Sequence, residues 1–235
     1  MRQIVLDTET TGLSVSQEHR IIEIGATEIV NRRLTDRRFH EYLQPDREID
    51  RGAQEVHGIT AAFLQDKPRF SDIAGDFIAF IRDAELIIHN APFDVGFLDY
   101  ELSRLGSEWG RLKDYSTVTD TLPLAKSRHP GQKNNLDALC KLYNVDNSGR
   151  DLHGALLDAE LLAEVYLAMT GGQTSLALEI APMQMAGSWF GSATAEGKRP
   201  PLRVIRATPE ELAAHAARLK AIDEASGGQC VWKGG

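Results

Sequence analysis

The chain has 235 residues, 42% of them hydrophobic, and a formal net charge of −8 at pH 7. This length is enough for one full domain with an additional segment, and the negative charge argues against a protein that coats nucleic acid non-specifically. The two cysteines, Cys140 and Cys230, lie far apart, which excludes a zinc ribbon and fits a reducing compartment. Residues 1–20 contain no signal-peptide core and no apolar run reaches membrane-spanning length, so we expect a soluble, cytoplasmic protein.

The first predicted element is a short apolar strand, Ile4 to Leu6, that ends in an acidic stretch. Side chains alternate along a strand, so the carboxylates of Asp7 and Glu9 project to the same side. Two adjacent carboxylates at the end of a buried strand repel each other unless one is protonated or a divalent cation neutralises them. A solvated acidic loop would need neither, and this pair alone leaves both interpretations open.

The next segment predicts two more strands. Residues 21–30 alternate apolar and polar side chains, residues 31–33 form a turn, and residues 39–43 are again strand-like. Three strands with short connections indicate an antiparallel meander. The arginines at the turn are typical of a solvated hairpin tip. We expect a loop around His57.

Helices and strands then alternate. We predict a helix over 70–82 with Ser71 at its N-cap, a strand over 86–89, and a helix that starts at Pro92 and ends near Leu105. Short helices over 122–127 and 136–142 and a long helix over 152–169 follow. This order is typical of an α/β domain with a mixed sheet flanked by helices, which we expect to end near Thr170.

The composition changes after Gly171 and Gly172. Residues 179–201 lack periodicity and are typical of a linker. Thr208-Pro209-Glu210-Glu211 is a helix start, with Thr at the N-cap, Pro at N1 and Glu at N3. The helix that follows carries an apolar stripe that a lone helix cannot bury, so we expect it to bind a partner through Leu212, Leu219, Ile222 and Trp232.

Three more polar residues extend the acidic pair. Asp94 lies in the first turn of the helix opened by Pro92, where a carboxylate alone would simply stabilise the helix dipole. Asp158 lies in the long predicted helix, and His153 precedes it by five positions. If both lie in that helix, the offset between them is about 140°, so we expect His153 to reach a water molecule rather than share the face of Asp158.

Together these residues resemble a known family. The segments Asp7–Gly12, His89–Leu98 and His153–Ala159 are similar to the three motifs of the DEDDh 3′→5′ exonucleases, in the same order and with the same internal spacing. The resemblance covers about residues 1–170 and implies the ribonuclease-H-like fold. It also implies phosphodiester hydrolysis with divalent metal ions.

The family's chemistry accounts for the residue types. Phosphodiester hydrolysis develops negative charge on the attacking and leaving oxygens, and two divalent ions stabilise both; hard cations prefer oxygen ligands. The resemblance implies that Asp7 bridges two ions, Mg²⁺ or Mn²⁺, that Glu9 and Asp158 complete one, and that Asp94 holds the second. It implies that His153 is the general base that deprotonates the attacking water.

The resemblance also implies contacts to the 3′-terminal nucleotide. The family carries a carboxylate where Gly52 falls here, and Glu55 stands nearby, so only His57 is assigned on that loop. The expected substrate-binding residues are Thr8, Thr10, Gly12, His57, His89 and Asn90.

Further segments, 31–34, 134–140 and 163–175, are similar to the proofreading members of the family that serve bacterial replicative DNA polymerases. That similarity implies an exonuclease domain over 1–172, a sliding-clamp-binding peptide over 173–178 with Gln173, Leu176 and Leu178 as contacts, a linker over 179–202, and a tail over 203–235 that binds the polymerase subunit. It also implies a small accessory subunit in lineages that possess one.

The predicted function is therefore removal of mispaired nucleotides from the 3′ end of a DNA primer, because a mispaired terminus unstacks more easily than a paired one. A stand-alone exoribonuclease would share the catalytic motifs but would need no clamp peptide or partner helix. A non-catalytic scaffold between polymerase and clamp would need no metal-binding carboxylates.

Overall fold

The computed structural model describes residues 1–149, 152–171, 207–227 and 232. The chain divides into two units, Met1–Leu178 and Glu179–Gly235. The predicted contacts of the clamp peptide and the predicted linker lie outside the described residues. Among those residues, every helix is too short or too polar to cross a membrane.

The first unit is built on a five-stranded mixed sheet. Its strands are β1 (Arg2–Thr10), β2 (Ile21–Val30), β3 (Arg33–Tyr42), β4 (Glu85–Ile88) and β5 (Thr117–Asp120). The sheet order is β3-β2-β1-β4-β5, with β1, β2 and β3 antiparallel and β1, β4 and β5 parallel. The predicted meander and mixed sheet are confirmed. Strand β5 was not predicted, because its sequence, TVTD, has only one strongly apolar side chain.

The described residues of this unit form seven α-helices: α1 (Arg51–His57), α2 (Ala61–Leu64), α3 (Phe70–Ile81), α4 (Ala91–Leu105), α5 (Thr121–Arg128), α6 (Leu136–Tyr143) and α7 (Ala155–Thr170). Two local predictions were wrong. His57 is the last residue of α1 rather than part of a loop. Ser71 lies inside α3, whose N-cap is Arg69; the Arg69 backbone N–H donates to Asp72 Oδ2 at 2.8 Å.

Each face of the sheet packs against helices. Ile4 and Leu6 of β1 belong to a core with Phe77 of α3 and Phe97 of α4, while Val5 belongs to the core formed with α6 and α7. Because side chains alternate along a strand, Asp7 and Glu9 lie on the Val5 side and Thr8 on the Leu6 side. The end of β1 therefore reaches helices on both faces.

The second unit contains α8 (Pro209–Ala225). The predicted helix start is confirmed: the Thr208 backbone N–H donates to Glu211 Oε2 (2.8 Å), and the Glu211 N–H donates to the Thr208 hydroxyl (3.2 Å). No residue of α8 is buried. Apolar side chains of α8 are thus exposed, among them Leu212 (58% exposed). Beyond the helix, Trp232 is also exposed (77%).

Candidate active site

The acidic residues of β1 open into a cavity of about 430 Å³. Asp7 is paired with Gly25 and Glu9 with Glu23 on β2, and the register shifts between Glu9 and Thr10. The cavity brings together side chains from β1, α4, α6 and the start of α7. Its lining residues are Asp7, Thr8, Glu9, His89, Asn90, Phe93, Asp94, Asn135, Leu136, Asp137, His153, Asp158 and Leu162.

Asp94 enters the cavity from the first turn of α4. Asn90, at the N-cap, has φ +66°, a left-handed conformation that asparagine tolerates better than most residues, and Pro92 follows at the start of the helix. Asp94 is 3% exposed and accepts a hydrogen bond from the Thr8 hydroxyl at 2.7 Å. Burial raises the pKa of Asp94 to about 7, against the opposing effect of the Thr8 hydrogen bond. In the absence of a cation, this carboxyl is therefore partly protonated near neutral pH.

Asp158 and His153 come from the start of α7. Gly154 is the N-cap, so His153 precedes the helix, and the predicted angular offset does not apply to it. His153 Nδ1 lies 3.1 Å from Asp158 Oδ2. The two side chains thus face each other. Asp158 is buried, whereas the His153 side chain is 44% exposed.

The start of α7 reaches β1 because Gly25 has no side chain. A Cβ on Gly25 would overlap the backbone of Ala155 and Leu156. Gly25 is the direct neighbour of Asp7 across the sheet. This close approach of α7 to β2 places Asp158 beside the carboxylates of β1.

The donor atoms fit a divalent cation. One ligand atom each from Glu9, His153 and Asp158 lies within 4.8 Å of the others, and carboxylate oxygens are the ligands that hard divalent cations prefer. Asp7 and Asp94 line the same cavity. The structure thus brings together all five residues predicted from the three motifs.

The loop after β1 is held by protein contacts. The Thr10 hydroxyl donates to the Gly12 carbonyl (2.7 Å), and the buried His19 ring lies 2.9 Å from the Thr11 hydroxyl and 3.3 Å from Asp50. The His19 ring occupies the space that a side chain on Gly12 would need. Thr10 and Gly12 do not line the cavity, and their predicted substrate contacts stay predictions.

His57 is not among the residues that line the cavity, and its predicted contact to the substrate stays a prediction. It is 5% exposed, and its Nδ1 accepts a hydrogen bond from the Ile59 backbone N–H at 3.0 Å. Burial lowers its pKa, against the charge of Glu23. Glu55, the other residue considered on this segment, forms an exposed ion pair with Arg51 at 2.9 Å.

His89 and Asn90 lie in the cavity wall. His89 Nδ1 is 2.8 Å from the Thr121 hydroxyl, and burial lowers the His89 pKa. The Asn90 backbone N–H donates to Asp120 Oδ1 at 3.0 Å. Both residues are therefore fixed by the start of α5.

Several wall residues were not predicted as site residues from the sequence: Phe93, Asn135, Leu136, Asp137 and Leu162. Asn135 carries a readable signal, because it caps α6 by accepting from the Ala138 N–H (3.1 Å). Its position in the cavity depends on the packing of α6 near β1, which no local pattern shows.

Comparisons with known proteins agree with this geometry. A family model described as Exonuclease matches residues 4–166. The chain is 52% identical to the DNA polymerase III subunit epsilon of Escherichia coli K12, over 99% of this chain and 97% of the relative. It is 49% identical to the protein of that name from Haemophilus influenzae, over 98% of this chain and 94% of the relative.

Two solved structures have the same fold. Exonuclease X in complex with 5′ overhanging duplex DNA is 25% identical with a TM-score of 0.53, over 71% of this chain and 90% of that one. Exonuclease I without ligand is 17% identical with a TM-score of 0.59, over 71% of this chain and 41% of that one.

Proposed function

Because the chain belongs to the exonuclease family and, within it, to the epsilon subunits of DNA polymerase III, we propose that its cavity at the end of β1 hydrolyses the terminal phosphodiester of a DNA 3′ end. The protein is a 3′→5′ proofreading exonuclease of the polymerase III core. One observation carries the site assignment: Asp7, Glu9, Asp94, His153 and Asp158 line a single cavity. Action on chromosomal DNA would place the protein in the cytoplasm.

Members of this family depend on divalent metal ions, and the cluster of Glu9, His153 and Asp158 suits one. We assign Asp7, Glu9, Asp94 and Asp158 as ligands of two ions, Mg²⁺ or Mn²⁺. When bound, such ions neutralise charge on the attacking and leaving oxygens. The positive charge of the ions would also offset the mutual repulsion of the four carboxylates, so that all four can be ionised in one site.

His153 is assigned as the general base. Its Nδ1 faces Asp158 Oδ2 at 3.1 Å, a contact that orients the ring and makes Nε2 the basic nitrogen of the neutral tautomer. The exposed side of the ring lets it take a proton from the attacking water and pass it to solvent.

The substrate-side residues have two kinds of position. Thr8, His89 and Asn90 line the cavity and are assigned to the terminal nucleotide. Thr8 also holds Asp94 through its hydroxyl. Contacts of Thr10, Gly12 and His57 with the terminal nucleotide are part of the same proposal, although these three residues do not line the cavity.

The partner assignments depend on the C-terminal segments. We assign the tail that includes α8 to the polymerase III alpha subunit, Gln173, Leu176 and Leu178 to the beta sliding clamp, and the exonuclease domain to a theta subunit where one exists. The exposed apolar side chains of α8 support the first assignment. The affinity for the alpha subunit should fall at least about tenfold in Leu212→Glu. Glu210→Lys, at an exposed polar position, is the control. An affinity of Leu212→Glu equal to that of the wild type would refute the assignment of α8.

The nuclease assignment is tested with 5′-labelled single-stranded DNA and RNA of one sequence. We expect stepwise shortening of the DNA from its 3′ end with Mg²⁺ or Mn²⁺, no reaction with EDTA, and no reaction with Asp158→Asn. Shortening of RNA alone would instead identify an exoribonuclease. If the folded wild-type protein shortened neither DNA nor RNA, the non-catalytic scaffold between polymerase and clamp would be the favoured function.

A further inference from the structure

A second cavity, of about 670 Å³, adjoins the active-site cavity. The two share three wall residues: His89, Asn90 and Asn135. Three other cavities of the described chain share no wall residue with the active-site cavity. A DNA strand held by its 3′ end must continue on the 5′ side of the bond that is cut. Because the two cavities share wall residues, the adjoining cavity is in position to receive that part of the strand.

The lining of the adjoining cavity differs from that of the active site. The active-site cavity is lined by five carboxylates, whereas the adjoining cavity has none and is lined by side-chain amides, Leu122 and Lys126. Lys126, on α5, is the one Lys or Arg in the walls of either cavity in the described chain. Phosphate contacts supply most of the affinity for a nucleic-acid strand. In a chain with net charge −8, this lysine is well placed to supply one.

His89 forms the wall between the two cavities in a fixed orientation. Its Nδ1 lies 2.8 Å from the Thr121 hydroxyl. Burial lowers its pKa, and the positive charge of Lys126, which lines the same cavity, acts in the same direction. A neutral, immobile ring of this kind can stack against a base without selecting a sequence.

We propose that the adjoining cavity is the subsite for the penultimate nucleotide of the strand, and that Lys126 binds the phosphate on the 5′ side of that nucleotide. This inference rests on the proposed function. The volume lies within the range of small-ligand pockets, and amides at Gln132 and Asn134 suit sugar and base edges of any sequence.

The test compares two substrates with the full chain. Thymidine 5′-monophosphate p-nitrophenyl ester has a scissile phosphate but no penultimate nucleotide, whereas a DNA trinucleotide has both. For Lys126→Ala we expect the ratio of kcat/KM on the trinucleotide to kcat/KM on the ester to fall about tenfold. Lys133→Ala removes the same charge from an exposed position that lines neither cavity, and its ratio should equal that of the wild type.

A neutral phosphate separates a direct contact from a general field. Replacing the linkage 5′ of the penultimate nucleotide by a methylphosphonate should lower kcat/KM in the wild type about tenfold and have little effect in Lys126→Ala. The slope of log affinity for single-stranded DNA against log salt should become shallower by about 0.7 in Lys126→Ala.

Three results would overturn the subsite: an unchanged ratio in Lys126→Ala, an equal fall in Lys133→Ala, or full sensitivity of Lys126→Ala to the methylphosphonate. Failure of the proposed function looks different. In that case the wild-type protein hydrolyses neither the ester nor the trinucleotide, which would refute the nuclease and the subsite together.

Discussion

The buried carboxyl of Asp94 makes the metal-free protein less stable as pH rises. Its pKa is raised from 3.8 to about 7, chiefly by burial. Between these values the folded protein keeps a proton that the unfolded chain has lost. The folded state then binds more protons, so the free energy of unfolding falls as pH increases through this window.

The size of the effect follows from the shift. One pKa unit corresponds to about 1.4 kcal/mol, so a shift of about three units costs on the order of 4 kcal/mol above pH 7. Between pH 5 and pH 8 the loss is about 3 kcal/mol. Asp94→Asn removes the titration while its amide oxygen can still accept from the Thr8 hydroxyl.

Urea unfolding in EDTA at pH 5, 6, 7 and 8 measures this difference. We expect the stability of Asp94→Asn minus that of the wild type to increase by about 3 kcal/mol from pH 5 to pH 8. The buried histidines His57 and His89, whose pKa values are lowered, add a slope of opposite sign that is common to both proteins and cancels. Asp76→Asn, at an exposed position of α3, is the control and should follow the wild type. A constant difference across this range would show that the pKa of Asp94 is not raised in the folded protein.

Three further predictions follow from the site. His153→Ala should lower kcat about 10²- to 10⁴-fold with an unchanged circular dichroism spectrum, and a near-normal kcat would remove His153 from the base role. Gly25→Ala should cost about 1–3 kcal/mol in urea unfolding, because its Cβ would overlap the backbone at the start of α7. Gly75→Ala, inside α3 with open space around it, should leave stability unchanged or raise it, because Ala is the better helix former. Equal stability of the two variants would contradict the packing argument. Thr8→Val should raise the Asp94 pKa further, since it removes the donor at 2.7 Å. In calorimetry, the loss of Mn²⁺ affinity relative to the wild type should therefore be larger at pH 6.5 than at pH 8.5. An equal loss of affinity at both pH values would count against this role of Thr8.

The five residues that meet in the site were predicted from the resemblance of three sequence segments to the exonuclease motifs, since no local pattern alone identified them. The i, i+2 pair on β1 and the proline at the start of α4 carry their geometry in the chain itself. The same is true of the Thr208 capping box, which the structure confirms.

Contacts between distant segments were not predictable. The Thr8–Asp94 hydrogen bond spans 86 residues, and the role of Gly25 depends on the backbone of α7. The position of His153 was misjudged because the predicted helix was begun at residue 152, whereas Gly154 caps it. A shift of three residues at a helix end changes which side chains share a face.

Proofreading is tested most directly with two 5′-labelled primer–templates that differ only in whether the 3′-terminal base is paired. With Mg²⁺, we expect the protein to shorten the mispaired primer faster than the paired one, and Asp7→Ala to shorten neither. Equal rates on the two primers, or wild-type activity in Asp7→Ala, would contradict this expectation.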